Sequence, residues 1–397
     1  MPSLTRAEAA TRAATVDVDA YDIDLDLTAG AETFLSRTVV RFRAREGAAT
    51  FLDFEPAGML SATLNGAPLD PAAHAGHRLA LAGLAERNEL VVEARMAYSN
   101  TGEGLHRYVD PADDRVYLYA HMFLDGARRI FPCFDQPDLK ATFTVSVTAP
   151  PEWLVAANAV PAAPARDGRH VFAATLPLPT YLVTLIAGPY HSCTDSHDGL
   201  PLALYARQSL APFLDAEAAE LLAVTKQCLD RYAEIFEIRY PFGHYQQAFV
   251  PEFNFGAMEN PGLVIFRDEF VYRSAVTDSQ RETRATVVAH EMAHMWFGDL
   301  VTMAWWDDLW LNESFAQYMG TRITAEATRF TDTWTTFAVG DKAWGMRADQ
   351  RPSTHPVAPA DVADTELALL NFDGISYAKG AAVLKQLVDW VGEEAFL

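Results

Sequence analysis

Cysteine is scarce in this 397-residue chain: Cys133, Cys193 and Cys228 stand alone, with no CxxC spacing. They offer neither a disulfide framework nor a thiolate zinc site, and each reads as a small buried hydrophobe. Basic charge is scarce too, with 31 Lys and Arg against 53 Asp and Glu, a formal net charge of −22. Such a surface repels phosphate backbones and anionic lipid, so no nucleic-acid or membrane partner is expected and the acidic excess serves solubility. Long apolar runs are missing: the longest, Leu178–Gly188, is far short of the ~18–20 residues that span a bilayer. Met1–Ala20 lacks an apolar core of signal-peptide length, which points to a cytoplasmic protein. There is no repeat, no low-complexity tract and no GxSxG nucleophile motif.

What is present suffices for two cores, since half of the residues are hydrophobic and single cores stop growing at about 250–300 residues. Short β-rich bursts run from Val16 to about Tyr190: Tyr21–Leu27, Arg37–Ala44, Glu89–Ala97, Arg115–Tyr119, Ala141–Val147, His170–Ala174 and Tyr181–Ala187. Asn65-Gly66, Asp167-Gly168 and Pro150-Pro151 supply turns between them. The pattern predicts an all-β, mostly antiparallel domain over residues 1–194. Beyond it the apolar period becomes helical over Ala211–Glu237, Ser279–Thr302, Leu309–Thr328 and Asn371–Trp390, with strands at Ala248–Val250 and Val264–Phe266. The fold class is therefore α+β multidomain, with a mixed α/β domain over 195–397.

His290-Glu291-Met292-Ala293-His294 falls in a helix expected to start after Ser279 and end near Gly298. Residues four apart share a helix face, so His290 and His294 can hold one zinc ion while Glu291 reaches a water bound to it. A hydrolytic zinc site takes three protein ligands and keeps one position open. With eighteen residues between them, His294 is followed by Glu313, on a helix rich in Trp305, Trp306, Leu309, Trp310 and Phe315. An unpaired carboxylate in such company is costly, so Glu313 is the third ligand.

Phe253-Asn254-Phe255-Gly256-Ala257-Met258-Glu259-Asn260 contains a GAMEN sequence ahead of HExxH and its downstream Glu. In that order the motifs resemble the aminopeptidase N family of gluzincins. Arg128-Arg129-Ile130-Phe131-Pro132-Cys133-Phe134-Asp135 and Tyr377-Ala378-Lys379-Gly380 extend the resemblance over most of the chain. It implies a β-sandwich-like domain packed on a thermolysin-like catalytic domain, with the site in the cleft between them. It implies one Zn2+ per monomeric chain and peptide substrates with a free N-terminus. Gly256, Ala257, Met258, Glu259 and Asn260 would line the cleft as an edge strand, Glu259 holding the substrate amine. Glu291 would be the general base, and Tyr377 would stabilise the oxyanion.

Two departures stand out. Many relatives read Gln-Phe-Glu before the paired arginines, whereas a gapless alignment puts His121, Met122 and Phe123 there, so the second acid for the amine is absent. Asp125 would compensate only if the loop were shifted. Relatives also continue with further helices, so a C-terminally truncated catalytic domain is expected. A zinc-binding but inactive fragment and the epoxide-hydrolase branch of the family are the alternatives.

Overall fold

Alternating side chains build the first half of the protein. In strand Val16–Asp26 every second residue is buried, and a β-bulge between Val18 and Ala20 resets the alternation so that Tyr21, Ile23 and Leu25 still face inward. This strand pairs antiparallel with Thr33–Ala44 and parallel with Thr142–Thr148, inside a seven-stranded sheet that is otherwise antiparallel. A four-stranded antiparallel sheet runs in the order Leu154–Ala157, Leu185–Gly188, Val116–His121, Gly104–Val109. Phe34, Phe42, Leu90, Leu118, Phe131 and Phe143 close one core from both sheets. The computed structural model describes residues 3–397.

A third, five-stranded mixed sheet follows in the order His191–His197, Leu200–Ala206, Tyr245–Val250, Leu263–Arg267, Ala257–Met258. Its last strand is an edge, antiparallel to Leu263–Arg267, and it consists of two residues of the GAMEN sequence. Mostly helical structure completes this half.

Helix α1 spans Arg6–Ala13, α2 Ala211–Ile235, α3 Asp278–Ala293 and α4 Leu309–Ala327. Then come α5 Thr333–Val339, α6 Asp341–Asp349, α7 Thr365–Leu369 and α8 Gly380–Val391. Among the described residues, no helix is long and apolar enough to cross a membrane.

The structure corrects several sequence expectations. Helix α1 lies before the first expected strand; it starts with a capping box of Thr5 and Glu8 and is anchored by the buried Arg12, 2.7 Å from Asp53. Helix α3 is capped by Thr277, not Ser279, because Thr277 and Gln280 exchange side-chain and backbone hydrogen bonds. It also ends at Ala293 rather than near Gly298, since the chain turns back through Gly298 at φ +126°. Tyr181–Ala187 divides into a 3-10 turn at Thr180–Leu182 and a strand at Leu185–Gly188. The helix expected over Asn371–Trp390 begins as a π-helical turn at Ile375–Lys379. Cys133 and Cys228 are buried as expected, but Cys193 is half-buried.

Candidate active site

Helix α3 presents His290 and Glu291 in its last turn, and His294 is its C-cap residue. Helix α4 packs against α3 at a glycine: a Cβ on Gly320 would stand 2.8 Å from the Cα and N of His290. That approach brings Glu313, from the second turn of α4, to the imidazole pair. Its Oε2 lies 3.4 Å from His290 Nε2 and 3.5 Å from His294 Nε2, and the two nitrogens are 3.0 Å apart.

Glu313 Oε2 is buried without a hydrogen-bond partner, an orphaned acceptor facing two imidazole nitrogens. Ligand atoms around a tetrahedral cation with bonds near 2.0–2.1 Å sit about 3.3 Å apart, and the three fit that spacing. A divalent cation of intermediate softness matches two imidazoles and a carboxylate.

The ring of His294 is oriented from behind. Its Nδ1 faces the Phe297 carbonyl at 3.1 Å and the side-chain oxygen of Asn312, so Nδ1 carries the proton and Nε2 keeps its lone pair for a metal. The Asn312 amide in turn donates to Glu259 Oε1 at 3.4 Å. Glu259, Glu291 and His294 form a second buried set with ligand atoms within 4.8 Å of one another.

Carboxylate crowding shapes the electrostatics. Burial first, and then the charges of Glu259 and Glu313, push Glu291 well above the usual carboxylate range, with His294 opposing. Burial also works against protonated His294, but Glu259 and Glu313 outweigh it and hold this imidazole well above its ordinary value. Those directions belong to the side chains alone, and a bound cation would reverse them.

Tyr377 comes from the π-helical turn before α8, and its ring stacks on His290 with centroids 6.1 Å apart and planes at 13°. Burial and the neighbouring Glu313 charge raise its phenol well above 10, so it is a proton donor at neutral pH. The turn is fixed to α4 because Ser314 Oγ donates to the Ser376 carbonyl at 2.6 Å. Gly380 permits this contact, since a Cβ there would fall 1.9 Å from Ser314 Oγ.

A cavity of about 580 Å³ opens over these groups. Gly256, Ala257, Met258 and Glu259 line it beside His290, Glu291, His294, Glu313 and Tyr377. Asn260 does not: it is buried, and its amide donates to the Leu182 carbonyl at 3.1 Å. Phe123 does line the cavity, edge-on to Phe372 at 4.8 Å. Asp125 instead forms an ion pair with Arg128, and the ring of His121 faces the Gly102 carbonyl at 3.0 Å. Neither supplies a second acid to the cavity.

Comparison with known proteins matches residues 220–397 to the peptidase family M1 domain and residues 79–182 to the peptidase M1 N-terminal domain. The chain belongs to the peptidase M1 family. It is 51% identical over 405 residues to aminopeptidase N of Streptomyces lividans, an alignment covering 99% of this chain and 47% of that protein. It is 37% identical to a probable M1 family aminopeptidase 1 of Encephalitozoon cuniculi, over 76% of this chain and 36% of that protein. With human glutamyl aminopeptidase it shares 36% identity over 68% of this chain and 28% of that protein. The chain thus spans about half the length, or less, of these M1 relatives.

Sequence reasoning about this M1 chain missed Asn312, Gly320 and the cavity walls Trp344 and Phe372. Asn312, directly before Glu313, could have been flagged by its adjacency. Nothing in local sequence marks the others.

Proposed function

We propose that this chain carries the catalytic centre of a zinc aminopeptidase, with His290, His294 and Glu313 as the zinc ligands. The observation behind this reading is the buried trio itself, two imidazole nitrogens converging on a carboxylate oxygen that has no donor. Bound zinc would supply Lewis acidity toward a water and the scissile carbonyl. Glu291 takes the proton of the attacking water at its carboxylate and returns it to the leaving amine. The Tyr377 hydroxyl donates to the oxygen on which negative charge develops. The edge strand Ala257–Met258 leaves backbone groups free to pair with an extended peptide, while Glu259, buried at the cavity wall, meets the charged N-terminus. Asn260 has a supporting role, tying this segment to Leu182.

We carry the division into residues 1–194 and 195–397 as a proposal, noting that strand His191–His197 crosses it. A monomeric state is likewise a proposal, as is a cytoplasmic location, the latter supported by the unpaired thiols of Cys133, Cys193 and Cys228.

The test measures bound metal and turnover on one sample, using a panel of aminoacyl-arylamides and their N-acetyl analogues. Zinc at the site with cleavage of the free-amine substrates alone is the expected result. Zinc without cleavage selects the metal-binding, inactive reading. Cleavage that survives complete removal of metal overturns the mechanism.

A further inference from the structure

Strand His191–His197 is the other edge of the five-stranded sheet, and helix α2 packs over it. Alternate residues of a strand share a face, so His191 and Cys193 both point toward the helix, where they meet Asp215 in its second turn. Their donor atoms converge. His191 Nε2 is 2.7 Å from Asp215 Oδ1, Cys193 Sγ is 3.3 Å from the same oxygen, and Sγ is 3.9 Å from Nε2.

We propose that His191, Cys193 and Asp215 form a second metal site, distinct from the α3–α4 centre, that takes a borderline-soft divalent cation such as zinc.

Three observations carry it. The first is geometry: bonds of about 2.3 Å to sulfur and 2.0–2.1 Å to nitrogen or oxygen require donors about 3.3–3.6 Å apart around a tetrahedral ion. The observed separations reach those values by movements of under about 0.7 Å, within the freedom of surface side chains. The second is donor chemistry. Hydrogen bonds bring both His191 and Cys193 to one Asp215 oxygen, and the thiolate, imidazole and carboxylate that meet there together suit zinc or its neighbours in the transition series. The neutral imidazole and two anions also balance a dication. The third is access: all three residues are half-buried or exposed, so an ion can enter and a water can fill the fourth position. A neighbouring set, His197 with Asp198 and Asp230, has no sulfur and offers no comparable selectivity.

In the metal-free protein the thiol is protonated, because burial and the hydrogen bond to Asp215 push it up to about 11. Binding forms the sulfur–metal bond and releases that proton to water. Below the thiol pKa, affinity therefore tightens about tenfold for each unit by which the pH rises.

Cobalt(II) separates this site from the α3–α4 centre, whose donors include no sulfur. Cys133 and Cys228 are buried and lie outside every donor cluster found among the described residues, so a thiolate-to-cobalt charge-transfer band reports Cys193. The parent protein should bind two equivalents of cobalt and show the band. His191→Ala and Cys193→Ala should each bind one equivalent and lose the band, while His290→Ala should keep it. In His290→Ala protein, zinc should slow alkylation of Cys193 at least tenfold, a readout that needs no further variant to fold. A parent without the band, or alkylation unchanged by zinc, would overturn the proposal whatever the peptidase assays show.

Discussion

The side-chain oxygen of Asn312 accepts a hydrogen bond from Nδ1 of His294, so one helix fixes the tautomer of a ligand that another helix supplies. Removing a partner of this kind commonly weakens metal binding about 10- to 100-fold. Asn312→Ala should do so here while the thermal midpoint of metal-free protein moves little. Zinc affinity measured by competition with a chelator checks it, and an unchanged affinity would leave Asn312 a packing residue.

Glu291 makes no contact that the zinc trio needs, yet it is buried beside it. Glu291→Gln should retain the metal and lose about 10²–10⁴-fold in kcat, the usual contribution of a positioned base. Metal analysis and turnover on the same preparation decide it. Loss of zinc would make the carboxylate structural.

Tyr377→Phe should lower kcat by about 10²–10³-fold with a smaller change in KM, because a hydroxyl that meets developing charge acts mainly in the transition state. Steady-state kinetics on an aminoacyl-arylamide give both constants. Equal kcat values would return the ring to a purely stacking role on His290.

The amine anchor is the place where this sequence departs from the pattern that its family resemblance implies. With Phe123 at the cavity wall and Asp125 engaged by Arg128, Glu259 is the one proposed carboxylate for the substrate ammonium. A charge-assisted hydrogen bond is worth about 1.5–3 kcal/mol, so Phe123→Glu should lower KM about tenfold or more. Glu259→Ala should abolish the preference for a free amine over its N-acetyl analogue, and Asp125→Ala should change neither constant much. If Asp125→Ala, rather than Glu259→Ala, removes the preference, the anchor has been misassigned.

Asp135 gives a pH-dependent stability. Burial, reinforced by the charge of Asp53, raises its carboxyl to about 7, above an unfolded value near 3.8. Between those values the folded state holds a proton that the unfolded chain releases, so this group's contribution is fully present below about pH 4 and is lost as pH rises toward 7. Asp135→Asn should therefore raise the thermal midpoint more at pH 8 than at pH 4, as calorimetry at the two pH values would show. The same shift at both would mean that the carboxyl titrates normally.

Much of this protein was legible before any coordinates. The period-2 bursts foretold a β-rich first half, because alternation is imposed by the strand itself. Residues His290 and His294 declared their shared face, because four residues make just over one helical turn. Local rules failed where longer-range packing chose the outcome. Helix α1 escaped notice because its main anchors, Asp53 and Gln136, are far along the chain, and Asn260 was assigned to the cavity although Leu182 claims its amide. The convergence of Glu313 on the histidines depends on a glycine at 320 that lets two helix backbones touch, and the seat of Tyr377 depends on Ser314 meeting a π-helical turn. Sequence determined which groups exist and how neighbours along one element face. Only the tertiary structure decided which of them meet, because contacts between elements depend on how closely backbones can approach and on where each buried polar group finds its partner.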